Sequence, residues 1–253
     1  MKKLLEVCVD SYASAMAAIQ GGADRLELCS ALIAGGLTPS AALLRQIRSV
    51  SQIPVRCLMR PRAGDFLYTP EEIDQMAMEM AELRAAGADG FVIGCLTPDG
   101  ELDADAMQPL FRAAEGLPLT LHRCIDVSRD PVATYRHAAA LGFHTVLTSG
   151  AAGNATAGRE MIEILLTLRD EISGPEILIG AGVNAKVIEA FRRECPKSRA
   201  FHMSGKTEVE SGMVFRRVGV PMGLPGLDEW HIPVTSAPAI RTAKAALCPT
   251  ETP

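Results

Sequence analysis

Short apolar runs alternate with longer stretches of helical periodicity along almost the whole chain. The runs LLEVCV from Leu4, RLELC from Arg25, PVRCLMR from Pro54, DGFVIG from Asp89, PLTLHR from Pro118, HTVLTS from His144, EILIG from Glu176 and RAFHMS from Arg199 each have the length and composition of a buried strand. All but the last lead promptly into a helical pattern. A strand–helix–strand unit takes about 30 residues or more, and eight such units fit 253 residues. The pattern predicts an α/β fold, a closed TIM (β/α)8 barrel forming a single domain over 1–253. A doubly wound open sheet would carry a glycine-rich turn after its first strand. Val9-Asp10-Ser11 is no such turn.

Punctuation between the elements agrees. Thr38-Pro39, Thr69-Pro70 with Glu72 three residues after the cap, and Asp130-Pro131 read as helix starts. Gly22, Gly87 and Gly142 sit at helix exits in the related segments GGADRLEL, AAGADGFVI and ALGFHTVL, a weak internal repeat. Beyond the eighth strand, 204–236 is rich in glycine, proline and charge and reads as an extended loop. A helix from about Pro238 to Leu247 follows, then a frayed tail over 249–253.

In a barrel, alternate strand residues face the helices and must be apolar. Leu5, Val7, Leu26, Leu28, Val55, Cys57 and Met59 form that set. The opposite parity puts Glu6, Cys8, Arg25, Glu27, Cys29, Arg56, Leu58, Arg60, His122 and His202 inside. For the deeper charges an ion-pair network explains the pattern, with Glu6 and Glu27 neutralised by Arg25, Arg56 or Arg60. Residues at the carboxyl ends of strands belong to the mouth where barrel enzymes build their sites.

Three chemistries are available there. The repeat Glu-x-Cys, at Cys8 and Cys29, predicts two thiols at matching heights on neighbouring strands, a pair suited to a soft metal. Burial as small hydrophobes explains the same cysteines. Arg60 and Arg62, with the turn Gly180-Ala181-Gly182 ahead of a helix near Asn184, suit a phosphate or carboxylate. His122 and Asp126, or Glu27, would exchange protons in an enzyme acting on a small phosphorylated or carboxylated metabolite; a structural histidine is the plainer reading. Met76, Met78 and Met80 spread over more than one helix face and read as packing.

Composition narrows the partners. With 48% hydrophobic residues and a formal charge of -5 the chain is neither disordered nor basic enough for nucleic acid. No apolar run approaches the eighteen or so residues of a membrane span, and the amino terminus has no signal-peptide core. Seven cysteines without a disulfide framework read as free thiols in a reducing, cytoplasmic setting. No organic cofactor motif is evident.

At these same positions the sequence resembles the CutC copper homeostasis family. The matching segments are EVCVDS around Cys8, GGADRLELCS around Cys29, GGLTPS from Gly35, RPRAGDFLY from Arg60, LHRCIDV from Leu121, VLTSG from Val146, GAGV from Gly180 and SGMVFR from Ser211. The resemblance runs to about Arg216. It implies a TIM barrel, a cytoplasmic homo-oligomer with a dimer foremost, and copper handling, with Cu(I) on the two cysteines that match Cys8 and Cys29. This chain has Ala63 where the family commonly reads RPRGGDF, and Cys124 and Ile125 where it reads HRAFD. Cys124 adds a thiol close to His122.

Overall fold

The structure, a computed structural model, describes residues 3–217, 219–220 and 228–249. In chain order the elements are β1 (Leu4–Val9), α1 (Tyr12–Gly21), β2 (Arg25–Leu28), α2 (Ala41–Arg48), β3 (Val55–Leu58), α3 (Pro70–Ala85), β4 (Gly90–Ile93), α4 (Ala104–Ala114), β5 (Leu119–Leu121), α5 (Pro131–Ala140), β6 (Thr145–Thr148), α6 (Arg159–Ile172), β7 (Glu176–Ile179), α7 (Ala185–Glu194), β8 (Ala200–Met203), β9 (Lys206–Glu210), β10 (His231–Thr235) and α8 (Ala237–Leu247). The first eight strands are parallel and close into a barrel in sequence order, with β8 returning to β1. All eight apolar runs are barrel strands.

The parity read from the sequence holds because a strand's side chains alternate strictly between faces. Leu5, Val7, Leu26, Leu28, Val55, Cys57 and Met59 are buried together with the apolar faces of the helices. The barrel interior is closed by smaller clusters, Cys29 with Leu58 and Val92 on one side and Leu147 with Leu178 and Ala200 on the other. Between them lie the interior charges.

Local signals explain the element ends. Thr69 and Glu72 form a reciprocal capping box on α3, and Asp130 caps α5 ahead of Pro131. Gly22, Gly87 and Gly142 all take positive φ, at 91°, 101° and 82°. One start differs: α2 is capped by Ser40, whose hydroxyl accepts from Leu43 N, rather than by Thr38. Thr38 is drawn instead into a bond with the Arg60 backbone at the mouth.

The stretch 204–236, expected as an extended loop, contains an antiparallel ladder between β9 and β10, in register from Lys206 opposite Thr235 to Glu210 opposite His231. Its sequence hides this because β9 is exposed on both faces, so no apolar alternation marks it. Residues 218 and 221–227, and the tail from 250, lie outside the described residues. Among the described residues no helix is long and apolar enough to cross a membrane.

Candidate functional site at the barrel mouth

A cavity of about 1500 Å³ opens at the carboxyl ends of the strands, walled by strand ends, the loops after β2 and β7, and the β9–β10 ladder. Cys8, Asp10, Glu27, Arg60, His122 and His202 all line it. The residues beneath it form one connected network. Glu6, fully buried, accepts from Arg25 Nε at 2.5 Å and from His202 Nδ1 at 2.9 Å. His202 Nε2 in turn faces the Glu27 carboxylate at 3.8 Å. Burial works to raise the Glu6 pKa, but Arg25, His202 and Arg56 outweigh it and hold it down at about 2. Glu27 is paired only loosely, with His202: burial, with Glu6 nearby, lifts it to about 7 against the pull of His202 and Arg25. Burial also opposes charge on His202, yet Cys8, Glu27 and Glu6 around it raise its pKa well above the usual imidazole value. The interior therefore holds a charged carboxylate–imidazolium pair beside a carboxyl that titrates near neutrality.

The ion-pair reading holds for Glu6 with Arg25, whereas Arg56 donates to Thr120 and Thr145 instead. Arg60 neutralises neither glutamate. Its guanidinium donates to the carbonyls of Ala34, Gly36 and Gly64, tying together the loops after β2 and β3.

Cys8, Glu27 and His202 each offer one ligand atom, and these atoms lie within 4.8 Å of one another. The expected equal height of Cys8 and Cys29 is not met. Barrel stagger sets Cys8 opposite Glu27 and Val9 opposite Leu28, so Cys29 lies one inward step further out. Its thiol donates to Val9 O at 3.4 Å, and it packs with Val92 and behind Leu58, which lines the cavity where Cys29 does not. Burial above all, with Glu27, holds the Cys29 thiol strongly toward its neutral form. Cys124 is fully buried in the outer apolar cluster.

Three other expectations change in the same way. Arg62 does not reach the cavity; it pairs with Glu72 at 2.6 Å and Asp65 at 3.0 Å and stacks over Tyr68. Asp126 makes no acid–base pair with His122. Its carboxylate accepts from Thr148 Oγ1 and from the backbone N–H groups of Ser149 and Ala151, while Arg123 Nε lies at 2.7 Å, so it pins the loop after β6. In the turn after β7, Ala181 and Gly182 reach the cavity wall, both at positive φ, while Gly180 lies against Leu147, whose Cδ1 a Cβ there would meet at 2.7 Å.

His122 is buried and neutral: burial first, then Arg60, pushes its pKa down to about 3. The unfolded chain therefore binds a proton that the folded chain refuses, and folding should lose about 1.4 kcal/mol per pH unit as pH falls from about 6.5 toward 3. Glu27 contributes the opposite slope, its folded state retaining a proton between 4.5 and about 7. Denaturant titrations of wild type and His122→Phe across this range should differ by the His122 slope. Parallel curves would show that His122 is not held neutral.

The sequence pattern places His202 inside at the carboxyl end of the eighth strand, and it does line the cavity; Asp10, Lys206 and Phe66 line it too and are not singled out by the sequence. Asp10 shares the inward parity of Glu6 and Cys8, which was a usable signal. Its carboxylate pairs with Lys206 at 3.1 Å across the mouth. Lys206 and Phe66 arrive from segments without periodicity, which gave none.

Fold and site together define a (β/α)8-barrel protein with a large cavity at the carboxyl mouth of the barrel, where ionisable side chains stand among apolar ones. Residues 3–207 match the model of the CutC family. A CutC family protein of Porphyromonas gingivalis is 41% identical over 244 residues, 96% of this chain and 97% of that protein. A human protein named copper homeostasis protein cutC homolog is 39% identical, over 96% of this chain and 88% of that one. The crystal structure of Streptococcus agalactiae CutC superposes with a TM-score of 0.74 at 27% identity, covering 80% of this chain and 98% of its own. The chain belongs to the CutC family.

Proposed function

We propose that this protein handles Cu(I), binding it as cargo at the floor of the mouth through the Cys8 thiolate and His202 Nε2. The observation that carries this is the convergence of Cys8, His202 and Glu27 within 4.8 Å at the cavity wall. Cu(I) favours thiolate and imidazole over carboxylate, which gives Glu27 the role of accepting one of the two protons that Cys8 and His202 release when the metal arrives, the other leaving to solvent. Cys29 supplies a second sulfur only by giving up its bond to Val9 O. The human relative's name, copper homeostasis protein, supports the same reading. So do seven unpaired cysteines, which fit a reducing cytoplasm. Copper K-edge absorption of the loaded protein should show sulfur and nitrogen scatterers, with the sulfur shell lost in Cys8→Ser; a purely oxygen and nitrogen shell in wild type would refute it.

The cavity itself favours a second reading, an enzyme acting on a small phosphorylated or carboxylated metabolite. At about 1500 Å³ it far exceeds an ion and surpasses the roughly 300–1,000 Å³ of usual small-molecule sites. Glu27, titrating near 7, is its proton-transfer group. Turnover lost in Glu27→Gln would support it, and turnover retained would remove it.

A further inference from the structure

On the far side of the mouth from Cys8, one wall is built from Arg60, Phe66 and His122, all lining the cavity. The Phe66 ring stacks on the imidazole of His122 at 4.6 Å between centroids, and Arg60 Cζ lies 5.2 Å from the same ring. Gly94 makes room for the imidazole, since a Cβ there would meet His122 Cε1 at 2.6 Å. The stack therefore has fixed positions rather than mobile tips.

The hydrogen on this imidazole can be assigned. Nδ1 accepts from the Cys124 backbone N–H at 3.1 Å. A neutral ring with Nδ1 as acceptor carries its proton on Nε2, and the depressed pKa agrees with neutrality. Nε2–H is thus a donor, and it is buried with no partner among the described residues. Arg60 repeats the situation: both terminal nitrogens are engaged by loop carbonyls, while Nε–H is buried without a partner among the described residues. Leaving a buried donor unsatisfied is costly, because the group has given up its water and gained nothing in return. Two such donors flank one aromatic residue, Phe66, and both belong to residues that line a cavity, so among the described residues they form half of a binding site that lacks its acceptor.

We propose that Arg60 and His122 form an oxyanion subsite, which takes the carboxylate or phosphate group of a small organic ligand entering the barrel mouth. One cation and one neutral donor match an acceptor oxygen bearing negative charge. The remainder of the ligand extends over the floor toward Cys8 and Glu27. The subsite deepens the small-molecule reading and rests on it, but requires neither turnover nor a metal at Cys8, so its failure leaves the copper reading intact.

The test titrates the full-length protein, copper-free, with acetate and separately with inorganic phosphate up to about 100 mM, a range that detects millimolar dissociation constants. The readout is the His122 Nε2 resonance in histidine 15N spectra. A saturable shift is expected with at least one probe, and which one responds distinguishes carboxylate from phosphate. Ligand-side 13C or 31P line broadening then compares variants: His122→Phe, which keeps the stack and loses the donor, should bind about tenfold more weakly, and Arg62→Met should bind as wild type. An unmoved Nε2 resonance with both probes would overturn the proposal, as would equal binding by His122→Phe. The wild-type spectrum decides the matter even if the variant fails to fold.

Discussion

Replacing Glu6 with alanine is expected to lower folding stability by about 3–5 kcal/mol, the cost of breaking a buried ion pair by removing one partner. Glu6 is completely inaccessible and is the only carboxylate directly bonded to both Arg25 and His202 among the described residues. Its loss strands the buried Arg25 guanidinium, whose Nη2 already lacks a partner among the described residues, and removes the acceptor that orients the His202 ring. Glu6→Gln keeps the shape and one acceptor oxygen and should fall between alanine and wild type. Urea denaturation at neutral pH measures both. A loss below about 1 kcal/mol for the alanine variant would mean that Arg25 is readily resolvated, contrary to this description of the barrel floor.

The second large effect comes from backbone contact alone. Gly158 precedes α6 and lies against the loop after β6; a Cβ on it would stand 1.9 Å from the Ser149 carbonyl oxygen and 2.9 Å from Gly150 Cα. Neither neighbour is a side chain that can turn aside, so Gly158→Ala must push apart two backbone segments. Overpacking of this kind typically costs 1–3 kcal/mol and occasionally more; about 3 kcal/mol is expected here, because Ser149 N–H is also held by Asp126 at 2.9 Å. The same denaturation assay checks it, with Gly153→Ala, which has open space around its Cβ, as the control. Equal stability of the two variants would contradict the tight contact.

The barrel was legible because each strand is short, apolar on its outward parity and bounded by glycine or a cap. Leu5, Val7, Leu26 and Leu28 announce the helix-facing side directly, and the inward position of Glu6, Glu27 and His202 follows by parity. What a single sequence does not contain is stagger. Glu6-Val7-Cys8 and Glu27-Leu28-Cys29 look like one motif repeated, yet the closed barrel slides β2 along β1 until Cys8 faces Glu27, and the two thiols part company. The roles of Asp126 and Arg62 were likewise hidden, since each is settled by loop residues such as Ala151 and Glu72 whose position no periodicity encodes. The β9–β10 ladder escaped for the same reason that makes it a surface feature: its side chains are largely exposed.

Copper binding at the Cys8–His202 floor is tested by Cu(I) affinity measured in competition with a chromophoric chelator. Loss of a thiolate ligand should weaken binding about a hundredfold or more in Cys8→Ser, following the preference of Cu(I) for soft donors. His202→Gln should weaken it by a smaller factor, and Cys29→Ser should leave it within about threefold of wild type, because its sulfur is turned to Val9 O. Affinity unchanged by Cys8→Ser, or lost equally in Cys29→Ser, would contradict the site described at the barrel floor.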